Sequence, residues 1–514
     1  MKKSTLALSI AAAIGSLGLA GVANATMAVN AGGVGHQLVF PYFTAQGGNA
    51  TLMTITNTDT TNGKLVKVRF RGAANSDDLF DFTLALSPGD VWTAAVTQDA
   101  TTGLAKLETN DKSCTLPASV NANFSTFRLD PSATAANQAA GTREGYAEVI
   151  TMGNIAPLSA NATSAQKATA LFTTIKHVAG VAPCSIAVLT EKLSDKATGE
   201  GFLEEPTSGI TGDWVIMNQT TTAAWSGSAT ALSPTDAAIK AFWPQTSGDV
   251  TSIASYTADP LLTKSIVTAQ IFDLPDMSTP YSAAHATPKD QADATTAALA
   301  KTHIINQYVT FDGIAAETDL LFAQPTRRYH VAVNYTATAT NLSATTGALP
   351  AAIYRNTGLL LAQEDGSAGK EYGSIYYRPT NMGFSTASPR TLCLNKLTAP
   401  GKDNVFDREE TTPAVGTTSF TISPIIIAAP TVLNICGEAA VVSINAGGVT
   451  GPSALSATVA RNDITYAAAY TDGWLAFSTL AADGTSGLPI LGQSFIRLAN
   501  GPVNYGVGYA HKSK

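Results

Sequence analysis

Two short, strictly alternating segments near the N-terminus constrain this chain more than any other feature. Between Lys64 and Arg71, Val66, Val68 and Phe70 fall on one side and Lys67, Arg69 and Arg71 on the other. That period of two belongs to a β-strand with one buried and one polar face. The next segment repeats it, with Phe80, Phe82, Leu84 and Leu86 opposed to Asp81, Thr83 and Ala85. Laid side by side, the two bury one continuous apolar face and bring Arg69 and Arg71 close to Asp78 and Asp81 as cross-strand pairs. The basic face is expected to be solvated.

Three further strands flank this pair: His36 to Thr44, Thr51 to Thr56 and Val91 to Val96. Gly47-Gly48-Asn49, Asn62-Gly63 and Ser87-Pro88-Gly89-Asp90 punctuate them. Asn-Gly signals a tight hairpin and Pro-Gly a type II turn. Short strands at regular spacing predict a β-meander folded into a sandwich.

Beyond it, Arg143 to Met152 reads as strand, and Gly212 to Gln219 with Ala223 to Ala229 as a hairpin. Ala165 to Val178 and Pro288 to Val309 have helical character, the second with Pro288 suited to its start. Strands are expected again at Leu320 to Ala323, Tyr329 to Tyr335, Ser419 to Ile427, Val432 to Ile435, Asp472 to Phe477, Ile490 to Leu498 and Val503 to Tyr509. The expected fold class is therefore mainly β: antiparallel β-sandwich domains with a few inserted helices. A signal segment over 1–25 precedes an N-terminal sandwich domain over 26–205 and a β-rich domain with a helical insertion over 206–514.

The signal segment has three parts: Lys2 and Lys3, the apolar run Leu6 to Val22, and Ala23-Asn24-Ala25, an A-x-A cleavage site. Cleavage would leave Thr26 as the first mature residue. No later stretch reaches the roughly 18 apolar residues of a spanning helix, so no integral membrane segment is expected after cleavage. The sequence carries 13% charged residues, about half the usual share, and a net charge of −7. With no basic stripe, a nucleic-acid partner is not expected. The chain has four cysteines. In an oxidising compartment they predict two disulfides, with Cys114–Cys184 and Cys393–Cys436 favoured because each bond then stays within one half.

Several segments, taken in order, resemble a family of largely uncharacterised secreted proteobacterial proteins described as cell-surface proteins. They are Pro41-Tyr42-Phe43 through Ile55-Thr56-Asn57-Thr58; Val66 to Arg71 through Asp81-Phe82 and Leu86 to Thr93; Thr318-Asp319-Leu320 with Pro325-Thr326-Arg327-Arg328; Asp407-Arg408-Glu409-Glu410; and Gly487-Leu488-Pro489 to Tyr505-Gly506. The resemblance spans most of the mature chain. It implies a β-rich exported fold and no reaction.

Catalytic motifs are missing. Gly492-Gln493-Ser494-Phe495-Ile496 fails the nucleophile elbow at its last position. Gly366-Ser367-Ala368-Gly369-Lys370-Glu371 lacks the spacing and the hydroxyl of a phosphate loop. The six histidines are scattered. Asp77, Asp78 and Asp81 read as ion-pair partners of the basic strand rather than a calcium site. Asp403, Asp407, Glu409 and Glu410 around Arg408 are the remaining calcium candidates, with oxygen ligands of the right kind but a solvated loop as the simpler reading. Trp92, Trp214, Trp225, Trp243 and Trp474 read as core anchors before a sugar cleft. The leading functional expectation is an exported structural cell-surface protein, a subunit of a surface layer or extracellular assembly. It would self-associate, attach to the cell envelope, need no cofactor (calcium apart) and catalyse nothing; a periplasmic location is the alternative. A secreted binding module for a glycan, metal ion or small ligand comes second. An outer-membrane β-barrel comes third, since 7% aromatics leave little for aromatic girdles.

Overall fold

A computed structural model describes residues 27–194, 203–204, 206–235, 288–333, 335, 352–354, 374–385, 390–397, 405–407, 433–446, 451–466 and 471–513. The fold is mainly β, with several antiparallel sheets and few helices. Fourteen strands build the N-terminal region: β1 (Met27–Val29), β2 (Gln37–Thr44), β3 (Asn49–Asn57), β4 (Gly63–Gly72), β5 (Asp78–Leu86), β6 (Val91–Gln98), β7 (Ala105–Glu108), β8 (Cys114–Leu116), β9 (Ala122–Asn123), β10 (Glu144–Ile155), β11 (Leu203–Glu204), β12 (Ile210–Asn218), β13 (Ala224–Ser228) and β14 (Thr230–Pro234).

They form two sheets. One runs β1-β14-β2-β10-β4-β5-β8, with β11 on β10; the other runs β13-β12-β3-β6-β7-β9. The apolar alternation explains how they meet. Phe40, Val66, Val68, Phe70, Phe80 and Phe82 of the first sheet share a core with Ile55, Trp92, Val96, Trp214 and Ile216 of the second. Phe82 and Trp92 pack across it at 5.5 Å between ring centroids.

Connectivity departs from the expected meander. β2, β3 and β4 are consecutive, yet β2 pairs with β10 and β14, β3 with β6 and β12, and β4 with β5 and β10. Asn62-Gly63 is therefore no hairpin turn but a corner where the chain changes sheet. Asp59 holds that corner by accepting the N–H groups of Thr61 (2.8 Å) and Asn62 (2.9 Å). Gly63 is needed for close approach: a Cβ there would lie 2.5 Å from Ile175 Cδ1 and 2.9 Å from the Leu86 carbonyl.

Strands that follow residue 205 pair with N-terminal ones. β12 pairs along its length with β3, from Ile210↔Asn57 to Asn218↔Asn49, and β14 pairs with β2 and β1. Residues 210–234 thus complete the N-terminal sheets. Helix Pro288–Leu299 is shorter than expected, and His303–Val309 is a strand paired with Asp472–Ser478. Ile304-Ile305 and Tyr308-Val309 supply the β-branched and aromatic residues that favour it. The helical segment at 165–178 breaks into Ser164–Thr169 and Leu171–Ile175. Tyr329 ends a 3-10 turn before the short strand Val331–Val333. Ser419 to Ile427 lies outside the described residues.

A five-stranded sheet in the C-terminal part centres on Glu317–Ala323, flanked by Ala439–Ala446 and Gln493–Asn500. Its residues Leu321, Val441 and Phe495 join the N-terminal core, so one apolar cluster crosses between the two parts of the chain. On the other side, Leu320, Phe322, Val442 and Ile304 build a second cluster. Disulfides join Cys114 to Cys184 and Cys393 to Cys436. Among the described residues no helix is long and apolar enough to cross a membrane.

Candidate functional site

The charged side of β4 is not solvated. Lys67, Arg69 and Arg71 are all buried, as are Asp81 on β5 and Glu148 on β10. The reason is layering: β4 lies between β5 and β10, and the C-terminal part covers its polar face. Register puts Arg69 opposite both Asp81 and Glu148, and Arg71 opposite Asp78. Lys67 Nζ lies 2.8 Å from Asp81 Oδ1, Arg71 3.3 Å from Asp78 Oδ1, and Arg71 Nε 3.8 Å from Glu148 Oε2. The cross-strand pairing is present, in a water-poor interior.

The covering segment closes the seam. Tyr329 donates to Glu148 Oε1 at 2.9 Å, and Tyr146 donates to the Pro325 carbonyl at 3.2 Å. Arg327 Nε meets Glu438 Oε2 at 3.2 Å and its Nη2 donates to the Ala74 carbonyl at 3.2 Å. Arg328 donates from its backbone to Glu438 Oε1 at 3.0 Å and from its guanidinium to the Ser76 carbonyl. Tyr335 donates to Asp77 at 2.7 Å, and Arg390 Nε pairs with Asp130 at 2.9 Å. Glu144 accepts the Thr458 backbone N–H at 2.7 Å. Bonds to charged partners in such surroundings are strong and costly to break.

Burial pushes Lys67 down to about 8, against the pull of Asp81. Burial raises Asp81 despite Lys67. Burial also opposes ionisation of Asp78, but Arg71, Arg128 and Arg328 outweigh it and hold that carboxyl below its ordinary value. These groups point at one another. Chemically the seam is a clamp between the two parts of the chain.

The second sheet offers the opposite kind of surface. Its outer side carries the cross-strand row Ser226, Val215, Leu52, Ala95, Glu108, set by register through β13, β12, β3, β6 and β7. Leu52, Val91 and Met217 stand 42%, 44% and 42% exposed. Over β3, β6 and β7 this face deepens into an open concavity walled by Thr109, Asn110, Asp111 and Asn121. Thr109 fixes the wall by donating to the Thr93 carbonyl at 2.6 Å, and Asn121 donates to the Thr109 carbonyl at 2.9 Å.

Of the calcium candidates, Asp403, Glu409 and Glu410 lie outside the described residues. Asp407 ends a strand opposite Gly473, and its side chain is likewise not described. Among the described residues no group of three or more His, Cys, Asp or Glu is arranged to hold a metal. Trp92, Trp214 and Trp225 are buried. Trp474 is 39% exposed and stacks on Phe406 with centroids 4.2 Å apart; Trp243 lies outside the described residues. Sequence reasoning missed Glu144, Glu148, Arg327, Arg328, Tyr329 and Glu438. The alternation of Tyr146 and Glu148 along β10 was a usable signal for a polar face, though not for what covers it. No family model, curated protein or solved structure matches this chain.

Proposed function

We propose that this chain is an exported structural protein of the cell surface that associates with further copies of itself through the open face of the β13-β12-β3-β6-β7-β9 sheet. The observation that carries this reading is that face: among the described residues it stands exposed along β3, β6 and β12, with Leu52, Val91 and Met217 on it. Exposed apolar residues gathered on one face favour association. A second copy suits it because Lys106 and Glu108 on the short strand β7 already neutralise each other, 2.8 Å apart, so a two-fold contact sets no unmatched charge against its copy there. The buried seam supports the same reading, since ionisable groups are spent on internal struts. Calcium binding by Asp403, Asp407, Glu409 and Glu410 would add to assembly by relieving acidic repulsion. The test follows the purified mature protein by light scattering with and without millimolar Ca²⁺, beside surface imaging of cells lacking it. Assembly in solution with an altered cell surface is expected; a monomer in both conditions and an unchanged surface would defeat the proposal.

A second reading, a binding module, is favoured by the concavity itself. Thr109, Asn110, Asp111 and Asn121 line it with hydroxyl, amide and carboxylate groups, whose lone pairs left over from the wall's own hydrogen bonds suit a polyhydroxyl ligand such as a glycan. Glycan-array binding lost on Asn121→Ala would favour it.

A further inference from the structure

At the outer end of β4, Lys64 and Asn154 face each other across the β4–β10 ladder, directly in register. Both side chains are buried. Lys64 Nζ donates to Asn154 Oδ1 at 2.7 Å, although the two are 90 residues apart in sequence. A third group completes the arrangement: Asp59 Oδ2 lies 3.4 Å from the same Nζ. A fourth is Thr207, whose backbone N–H donates to Asn154 Oδ1 at 3.3 Å and whose hydroxyl lies 3.4 Å from it. Lys64 also donates to the Thr207 hydroxyl (2.7 Å), the Thr207 carbonyl (3.1 Å) and the Ser208 carbonyl (3.5 Å). Asn154 Nδ2 donates to the Thr207 hydroxyl at 3.0 Å. Gly209 admits this packing, because a Cβ there would sit 3.0 Å from Lys64 Cε.

We propose that Lys64 and Asn154 become joined by an intramolecular amide bond, formed with the help of Asp59 and Thr207. An amine, an amide carbonyl, a carboxylate and an N–H on the carbonyl oxygen are the parts that amide exchange requires. Lys64 Nζ passes one proton to Asp59, and its lone pair attacks Asn154 Cγ. The Thr207 N–H stabilises the negative charge that develops on Oδ1. The Cγ–Nδ2 bond then breaks. Nδ2 leaves as ammonia with a second proton from Nζ and picks up the proton held by Asp59. Lysine ammonium and carboxamide thus become a secondary amide and an ammonium ion, with no oxidant or co-reactant. Burial favours the neutral amine by lowering Lys64, against the pull of Asp59; against burial, the N–H groups of Asn62 and Thr61 hold Asp59 down to about 2, so the proton moves to it only together with the attack on Cγ. Holding the amine against the carboxamide, 2.7 Å from Oδ1, lowers the entropic part of the barrier. The bond would tie β4 to β10 in the middle of the eight-stranded sheet. It goes beyond the assembly reading and does not depend on it.

Intact-mass measurement of the purified mature protein decides it. Wild type is expected to weigh one ammonia less than its disulfide-bonded sequence. Trypsin should fail at Lys64 and release a branched peptide joining the Lys64 and Asn154 segments. Lys64→Arg keeps the cation but cannot form the bond, so it should show the full mass. Asp59→Asn, at a partly exposed corner, should keep a native circular dichroism spectrum and lose or greatly slow the bond. A wild type of full mass, with ordinary cleavage at Lys64, would overturn the proposal whatever the variants do. A fully cross-linked Asp59→Asn would overturn the role given to Asp59.

Discussion

Arg71 is the residue at which a solvated and a buried basic face predict different outcomes. On a solvated face, Arg71→Ala would cost under about 1 kcal/mol. Buried between Asp78 and Glu148, its loss removes one of the cations that balance these buried carboxylates, and about 3–5 kcal/mol is expected from urea unfolding. Phe70→Asp should cost at least as much, by placing a charge among Phe43, Phe80 and Phe124. His511 gives a pH prediction. Burial lowers it to about 4, with the bond to the Leu321 carbonyl opposing and Lys301 adding to the fall. The unfolded chain then binds more protons than the folded one between pH 4 and the ordinary 6.5. Stability contributed by the neutral ring is complete above that ordinary value and is lost as pH falls through the window. His511→Gln, which can still donate to Leu321, should flatten that part of the pH–Tm curve; an unchanged slope would remove His511 as its source.

At the scale of elements, most strands were legible, because period-two alternation is a local property that survives any tertiary arrangement. Partners were not. Asn62-Gly63 has the chemistry of a hairpin, and only the position of Ile175 and Leu86 around Gly63 shows a change of sheet. Pro288 to Val309 looked helical as one run because Ala-rich residues precede it; pairing with Asp472–Ser478 claims its second half. The seam was half legible: the sequence put Arg69 and Arg71 beside Asp78 and Asp81, but a polar strand face reads the same under water or under protein. A fragment ending at residue 205 should therefore fail to fold, since it lacks β12–β14 and with them Trp214 and Trp225. Circular dichroism checks this; a native-like cooperative melt of that fragment would show that residues 26–205 fold without β12–β14. Replacing Cys393 and Cys436 by Ala should cost roughly 3–4 kcal/mol in the chain-entropy model, for a closed span of 43 residues.

At the scale of the molecule, two surfaces divide the work. The charged face of β4, β5 and β10 is turned inward, where Tyr329, Arg327 and Arg328 lock the C-terminal part onto it. Among the described residues the outer face of the second sheet stays exposed, with Leu52, Val91 and Met217 on it. A protein braced inside and exposing such a face is suited to pairing with a second copy through it, and Leu52 stands in the central row of that side. Sedimentation velocity of wild type and Leu52→Lys over a range of concentrations tests this most directly. Wild type is predicted to shift to larger species as concentration rises, while Leu52→Lys stays monomeric with unchanged thermal stability. A wild type that sediments as a monomer throughout, or a Leu52→Lys that assembles equally well, would contradict association through this face.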